Sequence, residues 1–137
     1  MAQQLFVDTL FWVATVNLMD QWHVRAVEIE STLPTHAEFL TTELVLVEFL
    51  NYLCGYGAQM RQQVATMVQT ILSDEAVTVI PQSQDLFLAG LQLYESRLDK
   101  GYSLTDCVSM VVMRQEGIQD VLTHDRHFAQ EGFTVLL

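Results

Sequence analysis

The sequence predicts an α/β fold in three layers, α/β/α, with a mainly parallel sheet of roughly five strands between two sets of helices. Three observations carry this. Short apolar segments alternate with longer helical ones along the chain; each short segment is apolar through most of its length rather than at alternate positions; and 50% of the 137 residues are hydrophobic. Apolarity without alternation marks strands buried on both faces, as in a parallel sheet covered by its crossover helices. A chain of 137 residues supports one well-buried core and is short for two, so residues 1–137 read as a single domain.

The elements follow in order. "QLFV" is the first strand and stops at Asp8. "TLFWVATVNL" and "DQWHVRAVEIESTL" are helical, the second opening at a cap, Asp20. Pro34 breaks that helix, and "PTHAEFLT" leaves room for a second strand around Phe39. "TTELVLVEFLNYLC" is apolar on several sides, as a largely buried helix would be, and "GYG" at residues 55–57 ends it. "MRQQVATMVQTILS" is a further helix, "AVTVI" a β-branched strand closed by Pro81, and "QDLFLAGLQLYESRLDKG" a helix ending at Gly101. "TDCVSMVVMRQEG" is a helix closed by Gly117, "DVLT" a strand, "DRHFAQEG" a turn of helix and "FTVLL" the last strand. No repeat, low-complexity tract or charged tail suggests a domain boundary.

Composition removes several classes of function. The two cysteines, Cys54 and Cys107, stand far apart with no CxxC partner, so neither a disulfide framework nor a zinc site is expected; they read as small buried side chains in a reducing cytoplasm. The N-terminal apolar run has no basic lead and is interrupted by Asp8 and Asn17, which predicts a soluble, cytoplasmic, unprocessed protein rather than a signal peptide or a bilayer span. With 17 acidic against 6 basic residues, the formal net charge of -11 disfavours non-specific adhesion to nucleic acid or anionic membrane. Any nucleic-acid chemistry therefore requires local positive charge, from divalent cations or a few placed arginines. A mean hydropathy of +0.24 and the early aromatics Phe11, Trp12 and Trp22 predict apolar surface covered by a partner, most simply in a homodimer.

In parallel sheets ligands bind beyond the C-terminal strand ends. Asp8 ends the first strand, Asp125 lies three residues past Leu122, and Asp106 begins a helix that can face the same edge. Each has a plainer reading as a helix cap, and Ser103 with Asp106 fits the S-x-x-D variant of a capping box. Glu48 is different. It sits in the apolar helix with no lysine or arginine within a turn, so it needs a metal or an open, solvated face. The four histidines, His23, His36, His124 and His127, are scattered and form no zinc pattern; they read as surface residues. Asp20 reads as a cap; Arg126 is the basic residue best placed to meet a phosphate, though a solvated arginine is the commoner case.

These segments together resemble the PIN-domain family, and most closely its single-domain VapC-type toxin ribonucleases. "LFVDTLFWVATVNLMDQWH" is similar to the family's opening strand with its aspartate, "TTELVLVEFLNYL" to its glutamate helix, and "YSLTDCVSMVVMRQEGIQDVLTHDRHFAQEGFTVL" to its two later aspartates and closing strand. The last segment is the most specific, because it orders an aspartate before a helix, Gly-Ile, an apolar strand, Thr-x-Asp-x-x-Phe and Gly-Phe. The resemblance covers nearly the whole chain. It implies a metal-dependent endoribonuclease whose acidic quartet is Asp8, Glu48, Asp106 and Asp125, accompanied by Thr9 and Thr123, and whose partners are an RNA substrate and, in a toxin pair, a small antitoxin protein.

The chemistry is coherent in its own terms. Mg²⁺ or Mn²⁺ is a hard cation that prefers carboxylate oxygen and keeps several waters for a phosphate and a nucleophile. On this reading Asp8 and Asp106 ligate directly, Asp125 directly or through water, and Glu48 orients a water or acts as general base. A receiver domain would show paired acids after the first strand and a lysine near the last, and "LFVDT" and "FTVLL" show neither. A haloacid-dehalogenase-type phosphatase would place a second aspartate where Leu10 stands. An RNA-processing nuclease outside any toxin pair, or a binding module without activity, keeps the same fold; retention of all four acids argues against the second.

Overall fold

A computed structural model describes residues 2–137. It contains β1 (Gln4–Val7), α1 (Thr9–Val16), α2 (His23–Thr32), β2 (Glu38–Thr42), α3 (Glu43–Tyr52), α4 (Ala58–Ser73) and β3 (Val77–Ile80). The second half adds α5 (Gln84–Ser96), α6 (Leu104–Glu116), β4 (Asp120–Leu122), α7 (Arg126–Gln130) and β5 (Thr134–Val135). The sheet runs β3-β2-β1-β4-β5 and every pairing is parallel.

The register puts Leu5, Phe6 and Val7 of β1 beside Asp120, Val121 and Leu122 of β4. Consecutive residues of a strand point to opposite faces, yet Leu5, Phe6 and Val7 are each no more than 1% exposed, so the sheet is covered on both sides. Connection handedness explains the two layers. The chain moves outward from β1 to β2 to β3 and then returns across the sheet to β4, and right-handed crossovers place helices of opposite travel on opposite faces. The order reverses at β1, so a crevice opens between the C-terminal ends of β1 and β4.

Local boundaries differ from the sequence reading where side chains find other partners. Asp20 does not cap α2: its Oδ1 accepts the Trp22 N–H at 2.8 Å in a turn, and the helix begins at His23. Helix α5 ends at Ser96 rather than Gly101, because the Arg97 guanidinium is drawn to Glu131 at 2.7 Å and Leu98 is exposed, which leaves nothing to bury in a further turn. Helix α3 is not buried all round; Val45, Leu46 and Phe49 face the core while Val47, Leu50 and Tyr52 face solvent. Phe11 and Trp12 belong to the core, and Trp22 packs against it, so these aromatics supply no partner surface. Cys54 is exposed, whereas Cys107 is buried as expected. Gly117 closes α6 at φ 69°, a left-handed position that glycine adopts without steric cost. Among the described residues no helix is long and apolar enough to cross a membrane.

Gly90, in the middle of α5, has a packing reason. A Cβ there would stand 2.5 Å from Val108 Cγ2, on a fully buried side chain of α6, and 3.4 Å from the Val108 N. The missing side chain lets α5 and α6 approach closely. Gly90→Ala gains about 1 kcal/mol of helix propensity but overpacks this contact by more than that. A net loss of about 1–2 kcal/mol, seen as a melting temperature lowered by about 3–7 °C, is the expected result; an unchanged or raised melting temperature would show that Val108 moves aside freely.

Candidate active site

Asp8 follows β1 in the N-cap position of α1, yet its side chain makes no capping bond. It turns instead to the neighbouring strand. Thr123 Oγ1, just past β4, donates to Asp8 Oδ2 at 2.8 Å and accepts the Asp125 N–H at 3.1 Å, so one hydroxyl joins both strand ends and fixes the loop that carries Asp125. Asp8 is 2% exposed, and its Oδ1 is buried with no hydrogen-bond partner. Burial is the main force pushing its pKa up to about 7; the nearby Asp106 charge adds to it, the Thr123 bond opposes it, and Glu48 adds a smaller push.

Asp106 and Asp125 are caps and site residues at once. Ser103 Oγ accepts the Asp106 N–H at 3.0 Å while Asp106 Oδ2 accepts the Ser103 N–H at 3.1 Å, a complete capping box at the head of α6. Asp125 Oδ1 accepts the His127 N–H at 2.9 Å and caps α7. Both caps hold their carboxylates toward the same crevice, for Asp106 is raised above the usual carboxylate range chiefly by burial and then by the charge of Asp125. Glu48 is half-buried on α3, and its charge is felt at both Asp8 and Asp106. The structure thus gathers all four predicted acids around one edge of the sheet.

The tightest grouping is not the one the sequence suggested. Asp106, Asp125 and His127 each offer a ligand atom within 4.8 Å of one another, which is an arrangement able to hold a cation. His127 was read as a surface residue, but its Nδ1 lies 3.5 Å from Asp106 Oδ2 and 3.4 Å from Asp125 Oδ1. The only signal for it was position: two residues after a capping aspartate, in the first turn of a short helix. The other histidines are elsewhere. His23 Nδ1 lies 2.7 Å from the Ala14 carbonyl, His36 is exposed, and His124 stacks on Trp22 with ring centroids 4.5 Å apart. Thr9 is buried with its Oγ1 unpartnered. Arg126 is exposed beside Asp125. The donor set fits a divalent cation: several carboxylates lie close together, and one buried oxygen, Asp8 Oδ1, lacks any partner.

The model of the PIN domain family matches residues 5–133. The chain belongs to the PIN domain family. Among PIN-domain relatives, the "23S rRNA-specific endonuclease VapC20" of Mycobacterium tuberculosis is 32% identical over 132 residues, 94% of this chain and 95% of that protein. The crystal structure of M. tuberculosis VapC20, described as a sarcin-ricin loop cleaving toxin, superposes with a TM-score of 0.82 at 28% identity, covering 95% of this chain and 96% of that one. VapBC2 from Rickettsia felis, solved bound to a DNA fragment from its promoter, has a TM-score of 0.65 at 14% identity, with 97% of each chain covered. FitAcB from Neisseria gonorrhoeae has 0.68 at 12%, with 97% of this chain and 96% of that one covered. The last two likenesses speak to the PIN fold alone.

The buried acid makes the metal-free PIN fold sensitive to alkali. Burial lifts the Asp8 pKa from its ordinary 3.8 to about 7 in the folded protein, so its contribution to stability is lost as pH rises through that window. Glu131 acts oppositely: hydrogen bonds from Arg97, Arg114 and Tyr102 pull it from 4.5 down to about 2, so its contribution is lost as pH falls through that lower window. In EDTA the melting temperature is therefore expected to be higher at pH 5 than at pH 8. Asp8→Asn should flatten that fall; a wild-type slope that survives the substitution would assign it to other groups.

Proposed function

We propose that this protein is an endoribonuclease of the toxin type, hydrolysing RNA phosphodiester bonds with Mg²⁺ or Mn²⁺ held among Asp8, Glu48, Asp106 and Asp125. The observation that carries the reading is the buried, half-unpartnered carboxylate of Asp8 at the β1/β4 crevice, crowded by other acids. Such crowding is costly until a cation enters, and a cation that binds only the folded state offsets it. The 32% identity to an rRNA-specific endonuclease over nearly the full length of both chains supports the activity and an RNA loop as substrate. Residues 1–137 are read as one such catalytic unit.

When bound, the cation polarises a phosphoryl oxygen and acidifies a water. The protein's own groups do the rest. Thr123 holds Asp8 in place, and the two caps hold Asp106 and Asp125 in fixed orientations. Glu48, half-exposed on α3, takes the proton from the attacking water. A bond forms from water oxygen to phosphorus, a P–O ester bond breaks, the departing oxygen takes up a proton from solvent while Glu48 returns its own to solvent, and the products end in a hydroxyl and a phosphate. Unpaired RNA suits the site because a flexible backbone can bend into a recess that an A-form duplex cannot enter. A small antitoxin protein that covers this edge, and a second copy of the chain, are the proposed partners. Phe87, Leu88 and Tyr94 on α5 and Val47, Leu50 and Tyr52 on α3 are among the exposed apolar side chains available for pairing.

Purified wild-type protein, freed of any co-purifying partner, is expected to cleave unstructured and loop RNAs in Mn²⁺ or Mg²⁺ and not in EDTA. Asp8→Asn should lose roughly a hundredfold or more of that rate, the scale of removing one electrostatic group at a reacting centre. Equal cleavage by both proteins would mean a contaminant, and cleavage by neither across the panel would leave a PIN domain without nuclease activity.

A further inference from the structure

We propose that His127 donates an imidazole nitrogen to the same cation as Asp106 and Asp125, and that this nitrogen makes the site favour Mn²⁺ over Mg²⁺. The inference rests on the metal-site reading above and adds a ligand outside the acidic quartet.

Three observations converge on it. His127 Nδ1 is buried and has no hydrogen-bond partner, although two carboxylate oxygens flank it at 3.5 and 3.4 Å. A charge-assisted N–H···O bond would draw such a pair to about 2.7–2.9 Å, and the observed separations are longer than that, so neither carboxylate closes a hydrogen bond on the ring. Without a proton or a cation between them, the Nδ1 lone pair would face two carboxylates.

The ring is also held there. The His127 N–H is tied to Asp125 Oδ1, which seats the residue in the first turn of α7. Its imidazole packs against the Tyr102 ring at 5.2 Å between centroids, and the Tyr102 hydroxyl is fixed by a 3.1 Å bond to Glu131. Asp106 Oδ2 and Asp125 Oδ1 each accept one main-chain N–H, which leaves both carboxylates with acceptor capacity for the ion. Asp8 points to the same need for positive charge. It is 2% exposed with Oδ1 unpartnered, and Asp106 is its strongest charged neighbour.

A nitrogen among oxygens changes which ion is preferred. Mg²⁺ dehydrates reluctantly and selects oxygen, while first-row transition ions accept imidazole. Mn²⁺ is the first-row ion that also suits a carboxylate-rich shell.

The test uses the metal alone. Mn²⁺ and Mg²⁺ affinities are measured by calorimetry on wild type and His127→Phe, and Mn²⁺-loaded protein is examined by pulsed electron paramagnetic resonance for ¹⁴N coupling. Wild type should bind Mn²⁺ more tightly than Mg²⁺ and show a histidine ¹⁴N signal that ¹⁵N-histidine labelling replaces. His127→Phe should lose that signal and about tenfold of the Mn²⁺ preference while its Mg²⁺ affinity changes little. Should His127→Phe fail to fold, persistence of the wild-type signal in His124→Ala makes the same assignment. Mn²⁺ binding without a nitrogen signal, or with equal preference in both proteins, overturns the His127 ligand and leaves the acidic site standing; it would mark His127 as a counter-charge only. Absence of any metal binding by wild type overturns both.

Discussion

One hydroxyl, with the two hydrogen bonds it makes, organises the functional edge of this molecule. Thr123 Oγ1 donates to a carboxylate at the end of β1 and accepts a main-chain N–H from the loop after β4. Its two roles settle where the hydroxyl proton points, and so which oxygen of Asp8 is satisfied. The other oxygen has no such partner. Because β1 and β4 are adjacent parallel strands at the reversal of strand order, the bond spans the crevice where such sheets bind ligands. The unsatisfied oxygen is thereby left in the one place where a ligand can meet it.

The loop after β4 is held from behind as well. Glu131, at the end of α7, takes hydrogen bonds from Arg97, Arg114 and Tyr102, and its side chain is only 5% exposed. Those partners lie after α5, within α6 and in the loop between them, so the cluster fastens α7 to the α5–α6 layer. Asp125 and His127 sit at the opposite end of that five-residue helix. A short helix is marginal alone. Pinned at Glu131 and capped at Asp125, it becomes a rigid mount, and rigidity is what a site built on small separations requires.

Strands β1 and β4 were legible because each is a short apolar run between turn signals: Leu5–Val7 of "QLFV" and Val121–Leu122 of "DVL" are buried, and both strands lie where expected, whereas β2, "EFLTT", carries no such run. The acids were legible singly but not in their arrangement. Asp106 and Asp125 satisfy local capping rules, so their sequence signal was the same as that of ordinary caps; the structure shows that capping and facing the crevice are compatible. His127 was hidden for another reason. Its neighbour Asp106 is distant in sequence and arrives only through the packing of α6 against α7. The ends of α2 and α5 were misread because turns at Asp20 and Arg97 depend on side-chain partners that periodicity does not report. The early aromatics were misassigned to surface because composition counts apolar residues without saying which ones the core absorbs.

Electrostatics closes the argument about substrate. A protein with a formal net charge of -11 must admit a polyanion to a crevice of carboxylates. Its own basic residues are largely committed elsewhere: Arg97 and Arg114 to Glu131, Arg61 to the Cys54 carbonyl, Arg25 to Glu28 and Lys100 to Asp99. Among the described residues Arg126 is the one basic side chain in neither an ion pair nor a hydrogen bond, and it is adjacent to Asp125. Long-range attraction cannot bring RNA to such a surface, since the overall field repels it. Attraction for phosphate has to be local, and Arg126 is the free basic side chain beside the acids. With so few phosphate contacts, few counterions are released on binding, and affinity depends only weakly on salt.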